Sequence, residues 1–245
     1  DSYDEASSNF TEAYGEDATY DRAIQIYEAY LEKDMEADGT RYLEAALKTE
    51  AKNAEDYCNR GKVYYYMEDY SNAQKELTEA VNQKSTEGML LLGMVYRAQG
   101  DTSNARSMYQ QYVSADDSDP AKGYNGLALC DMDDGSYDSA LENISKGLED
   151  ASTEEMQDLL FNEIVVYEKK LDFATALSKM QEYIKMFPDD ENAAKELTFL
   201  QSRNGELSND TASDTTENTD AEAASDAGNT TDTSDGSDES GEEEY

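Results

Sequence analysis

Residues 89–113 read MLLLGMVYRAQGDTSNARSMYQQYV, and the spacing within this stretch decides the fold. Met89, Leu92, Gly93 and Tyr96 recur at three- and four-residue steps, the period of one face of an α-helix and not the two-residue alternation of a strand. Gly100-Asp101 then supplies a turn. Ala105, Tyr109, Tyr112 and Val113 resume the helical period, so the stretch predicts two antiparallel helices joined by a tight turn. Two helices of about a dozen residues cannot bury their apolar faces alone, so the unit must stack on copies of itself.

Those copies are present on both sides. Gly39, Ala73, Ala105, Ala140 and Ala176 are separated by 34, 32, 35 and 36 residues. Ala46, Ala80, Tyr112, Gly147 and Tyr183, each followed by Leu47, Val81, Val113, Leu148 or Ile184, keep the same steps, as do Tyr30, Tyr64, Tyr96, Asp131 and Tyr167. Three columns sharing one spacing predict five helix-turn-helix units over residues 20–190.

The units resemble the tetratricopeptide repeat family, whose pattern runs from a large residue through Leu-Gly and Tyr in the first helix to Ala, an aromatic, Ala and Pro in and after the second. The second unit offers Tyr57, Gly61, Tyr64, Tyr70, Ala73, Leu77 and Ala80; the third, Leu92, Gly93, Tyr96, Gly100, Ala105 and Tyr109. The fourth offers Tyr124, Leu127, Ala128, Gly135, Tyr137, Ala140 and Ile144; the fifth, Leu160, Tyr167, Phe173, Ala176, Met180, Ile184 and Pro188. Departures are Tyr27 at a small site, Gly39 for alanine and Glu36 for an aromatic in the first unit, and Ile164 at the small site of the fifth. The resemblance implies an all-α, right-handed α-solenoid of about five such units, with first helices lining a concave face. A bulky residue at Ile164 predicts a fifth pair whose helices sit slightly apart.

Around this array, residues 1–19 are polar and aperiodic and read as a spacer. The chain starts at Asp1 and not at methionine, so the spacer is expected to follow a removed secretory signal, one that could end in a lipidated cysteine. The expected localisation is extracellular or anchored at the cell envelope, the alternative being cytoplasmic. Residues 191–204 (ENAAKELTFLQSRN) form an amphipathic helix that caps the last unit, ended by Asn204-Gly205. Residues 205–245 are rich in Ser, Thr, Asp and Glu and nearly free of large apolar side chains, so a disordered acidic tail is expected there.

Charge narrows the partners. The 245 residues hold 57 acids and 19 bases, a formal charge of −38, which opposes nucleic-acid phosphates and anionic lipid surfaces. Residues 206–244 carry 14 of the acids and no base, leaving 43 acids against 19 bases elsewhere, so the folded part is acidic too. No stretch approaches the roughly 20 apolar residues of a membrane-spanning helix.

The chemistry of catalysis is sparse. There is no histidine, hence no histidine base, and no glycine-rich phosphate cradle. Cys58 and Cys130 alone build neither a disulfide framework nor a zinc site, and read as small buried residues. Asp131, Asp133, Asp134, Gly135, Asp138 and Glu142 suggest a calcium loop, but Gly135 falls fifth where the sixth place is needed. The stretch reads instead as the turn of the fourth unit. No cofactor, metal or catalytic residue is predicted.

What remains is a groove that binds a protein or peptide. On the concave face the register places Cys58, Lys62 and Tyr65; Leu90, Met94 and Arg97; Lys122, Asn125, Leu129 and Met132; and Phe161, Val165 and Glu168. Lys62, Arg97 and Lys122 are expected to converge beside apolar side chains able to take an extended or helical peptide. Some family members grip acidic chaperone C-termini with a fixed set of Lys, Asn and Arg, a set that Cys58, Lys62, Leu90 and Met94 do not reproduce. The predicted function is a non-catalytic scaffold or adaptor; the alternative is an accessory or regulatory subunit of a cell-envelope enzyme or transport complex.

Overall fold

The computed structural model describes residues 3–216, which form twelve α-helices and, among these described residues, no strand. Helix α1 (Tyr3–Glu16) precedes five antiparallel pairs: α2 (Tyr20–Leu31) with α3 (Glu36–Ala46), α4 (Ala54–Tyr66) with α5 (Tyr70–Asn82), and α6 (Thr86–Ala98) with α7 (Thr102–Val113). The last two are α8 (Pro120–Asp133) with α9 (Tyr137–Gly147), and α10 (Thr153–Lys169) with α11 (Phe173–Met186); α12 (Glu191–Thr216) follows.

Every pair turns by the same device. The amides of Met35, Asp69, Asp101, Ser136 and Asp172 donate to the carbonyls of Tyr30, Tyr64, Tyr96, Asp131 and Tyr167 over 2.8–3.0 Å. The residue before each donor is left-handed: Asp34 (φ 57°), Glu68 (56°), Gly100 (78°), Gly135 (73°) and Leu171 (60°). This is the Schellman ending, which satisfies the last carbonyls of the first helix. The five left-handed positions follow the repeat spacing read from the sequence, yet only two are glycine. Asp69, Asp101 and Asp172 then cap the second helix, accepting from the amides of Asn72, Asn104 and Thr175 at 3.2, 3.1 and 3.1 Å.

Small residues set how closely the helices approach. A Cβ on Gly61 would collide with Leu77, and one on Gly93 would lie 2.7 Å from Tyr109 Cε1, so each glycine admits the large residue of its partner helix. The first pair reverses the arrangement. Tyr27 sits on α2, and Gly39 on α3 makes room, its Cβ position 3.0 Å from Tyr27 Cα. In the fifth pair Ile164 packs on Met180, both buried, and α10 and α11 approach less closely along their length than the other pairs do.

The core is a chain of clusters, not one centre. Val63 of α4 joins the cluster of the first pair, and Leu159 and Val166 of α10 join that of the fourth, so each pair is completed by the next. First helices of successive pairs touch directly, α2 on α4 through to α8 on α10, whereas the second helices α5, α7 and α9 pack on the first helices flanking them and α11 packs on α10 and α12. First helices therefore line the inner side of the array. One buried polar node interrupts the tyrosine column: Asp131, 4% exposed, accepts from Arg106 Nη1 at 2.6 Å and from Asn143 Nδ2 at 2.7 Å.

Both ends differ from expectation. The spacer read over residues 1–19 contains α1, whose Phe10 and Tyr14 pack on the first cluster, with ring centroids 5.1 Å from Tyr30 and 5.5 Å from Tyr42. Arg41 Nη2 also donates to Ser7 Oγ at 3.0 Å. At the other end Ala193 and Leu200 of α12 close the fifth cluster, but Asn204-Gly205 does not stop the helix, which runs on to Thr216. An Asn-Gly pair favours a turn without enforcing one, and among the described residues a Cβ at Gly205 would meet nothing within 4 Å. The part of the expected acidic tail over 217–245 lies outside the described residues.

Candidate functional site

A prominent recess lies on the inner face where α6 and α8 run side by side. It encloses about 770 Å³ and is walled by Tyr65, Leu90, Met94, Arg97, Asn125 and Leu129, among others. A smaller recess of about 370 Å³ adjoins it toward the C-terminus, walled by Phe161, Asn162, Gln157 and Asp190. Asn125, Leu129 and Asp158 belong to both, so the two form one groove across the third, fourth and fifth pairs.

Repeat geometry explains the lining. Leu90, Asn125 and Phe161 share one register position on α6, α8 and α10, and Met94 and Leu129 share another. The floor comes from a second helix: Tyr109 of α7, 2% exposed, wedges between Gly93 and Gly126, where a Cβ would lie 2.7 and 2.5 Å from its ring. Without glycine at both places the ring would have no slot and the floor would close.

Of the residues expected in the groove, Tyr65, Leu90, Met94, Arg97, Lys122, Asn125, Leu129 and Phe161 line it. Lys62 lines neither recess. Val165 is half-buried and packs toward the fourth cluster, and Met132, 8% exposed, is part of that cluster. Cys58 is buried, its Sγ 3.0 Å from Ser85 Oγ. Glu168 is half-buried against α12, its Oε1 unpartnered.

The expected basic cluster is neutralised from within. Arg97 Nε donates to Asp133 Oδ2 at 2.6 Å, and Lys122 Nζ lies 3.6 Å from Asp119 Oδ2 and 3.4 Å from Glu155 Oε1. Burial works to lower the Lys122 value, but Glu155 and then Asp119 outweigh it and hold the ammonium in its charged form. Asp134 accepts from Arg106 Nη2 at 2.8 Å and from Thr102 Oγ1 at 3.1 Å. Asp190 accepts from Tyr183 Oη at 2.7 Å and from the amides of Asn192 and Ala193.

Asp158 is different: it faces both recesses and, among the described residues, makes no hydrogen bond or ion pair. Burial, then Glu154 and Glu155, raises its carboxyl above the ordinary aspartate value. Sequence reading missed it, although it occupies the register position of Lys122 one unit later. The aspartates of the suggested calcium loop are spent on Arg97, Arg106, Asn143, Thr102 and, for Asp138, Lys170. Among the described residues no group of three or more Cys, Asp or Glu side chains comes together as a metal site.

An array of antiparallel helix pairs with a groove along its first helices is an α-solenoid of the helical-hairpin class. Residues 58–120, the second and third pairs, match the family model described as tetratricopeptide repeat, and the chain carries such repeats there. Solved structures agree in fold. TTC0263, a tetratricopeptide protein of Thermus thermophilus, superposes with a TM-score of 0.59 at 14% identity, over 75% of this chain and 99% of that one. A tetratricopeptide protein of Parabacteroides merdae gives 0.52 at 15%, over 81% and 79%. The Cut9–Hcn1 hetero-tetramer of APC/C gives 0.57 at 14%, over 82% of this chain, which spans only 40% of that one. No curated protein matched. Among the described residues no helix is long and apolar enough to cross a membrane.

Proposed function

We propose that the chain is a non-catalytic adaptor that holds a segment of a partner protein in the groove along α6, α8 and α10. The observation that carries this is continuity: Leu90, Met94, Leu129 and Phe161, from three successive units, line two adjoining recesses that share Asn125, Leu129 and Asp158. The four side chains are half-buried, and a contiguous, partly exposed apolar lining in a concave recess is the usual character of a binding site, which scattered apolar residues are not. The sequence supports the non-catalytic part, since it has no histidine and no nucleotide cradle.

The proposal keeps the setting expected from the sequence, at the cell envelope or outside the cell, although α1 folds onto the first pair within the segment read as a spacer; recovery of the protein only from the cytosol on fractionation would remove that part. The groove itself is tested by selecting displayed random 12-residue peptides on the whole chain. Selected peptides should lose binding to a Met94→Glu/Leu129→Glu variant whose helical circular dichroism is unchanged. Peptides bound equally by both proteins would move the site to another face.

A further inference from the structure

We propose that the groove selects a segment combining apolar side chains with a lysine or arginine, and that Asp158 is the residue that takes the cation. The inference rests on the groove being the binding site and adds the chemistry of its occupant. It follows from which groups in the groove already have partners. Arg97 is paired with Asp133, and Lys122 lies between Asp119 and Glu155, so neither cation is free for an acidic ligand. Asp134 is taken by Arg106, and Asp190 by Tyr183 and two backbone amides. Among the described charged residues lining either recess, Asp158 alone has no hydrogen bond or ion pair.

Its position matters as much as its charge. Asp158 stands where the two recesses meet, beside Leu129 and Asn125, which also belong to both. A chain lying along the groove with apolar side chains against Leu90, Met94 and Phe161 must pass this carboxylate. The carboxylate is partly desolvated there, so an incoming ammonium or guanidinium meets an anion that water stabilises incompletely. The wider field agrees: with 57 acids against 19 bases, the protein attracts cationic segments and repels acidic ones at long range. That field cannot by itself choose the groove, because it acts on every face; Asp158 supplies the local choice.

The test measures fluorescence anisotropy with two labelled 12-residue peptides that share four leucines, with four lysines in one and four glutamates in the other. At about 0.15 M salt, where long-range attraction is screened beyond roughly 8 Å, the leucine/lysine peptide should bind at least about tenfold more tightly. Asp158→Asn, isosteric and removing no bond, should weaken that peptide about fivefold. Glu149→Gln, an exposed carboxylate away from the groove, should change it by less than about twofold. If Leu129→Glu abolishes binding while Asp158→Asn leaves it unchanged, the groove stands and the cation site falls. If neither variant alters binding, both readings fall. Equal or tighter binding of the leucine/glutamate peptide overturns the inference outright.

Discussion

Replacing Gly126 by alanine tests the wedge on which the groove is built. The new Cβ would lie 2.5 Å from Tyr109 Cε1, 2.6 Å from Cδ1 and 2.7 Å from Cζ. The ring cannot step back, because the Gly93 Cβ position is 2.7 Å from its Cε1 and the residue is 2% exposed. In an open helix the change would stabilise by about 1 kcal/mol through backbone entropy alone. Overpacking a core contact costs about 1–3 kcal/mol, and a ring held on both sides belongs at the upper end. The net expectation is a loss of about 1–2 kcal/mol, opposite in sign to propensity. Urea unfolding followed by far-UV circular dichroism measures it, with Gly15→Ala in α1, where the new Cβ would meet no neighbouring group within 4 Å, as the reference. The alanine should cost less in a Tyr109→Leu background, since the two positions then no longer compete for space. If Gly126→Ala unfolds at the same or higher urea concentration than wild type, the wedge does not set the packing.

Further expectations follow from particular residues. Burial, then Glu196 on α12, pushes the Glu168 carboxyl from 4.5 up to about 7, with Lys169 opposing. A value raised by folding means a contribution complete below pH 4.5 and lost as pH rises through about 7. Wild type should therefore lose melting temperature relative to Glu168→Gln between about pH 5 and 8, and parallel curves would dismiss the coupling. Leu171, left-handed and 71% exposed, should gain about 0.5–1 kcal/mol on replacement by glycine, read from the same unfolding curves; a loss would mean its side chain supports the turn. Arg106→Met should cost about 2–3 kcal/mol by leaving buried Asp131 only Asn143, and an unchanged midpoint would contradict this. Burial pushes the Cys130 thiol up to about 11 and Cys58 in the same direction, so iodoacetamide should label neither in the folded chain at about pH 8 and both in urea.

Much of this architecture was written in spacing, which a sequence displays directly. The helix pairs follow the columns of Ala73, Ala105 and Ala140 and of Tyr30, Tyr64 and Tyr96, and the left-handed turn residues repeat with them. The inner-face positions of α6 and α8 could be read the same way. What spacing could not give was pairing. Lys122 and Arg97 looked like free cations because the carboxylates that neutralise them, Glu155 and Asp133, come from a neighbouring helix or unit. Asp158 was passed over as one acid among many, since its distinction is the lack of a partner. Helix α1 was missed because its burial rests on two rings four residues apart, Phe10 and Tyr14, in an otherwise polar stretch. That spacing was its one available signal.

Tyr109 has a double role with a mechanical consequence. The residue lines the groove, though only 2% exposed, and its ring is the spacer between Gly93 of α6 and Gly126 of α8. The angle between the third and fourth pairs and the shape of the groove floor are thus set by the same atoms. A side chain that presses on that floor also pushes on the joint between units, and bending the array at that joint opens or pinches the floor.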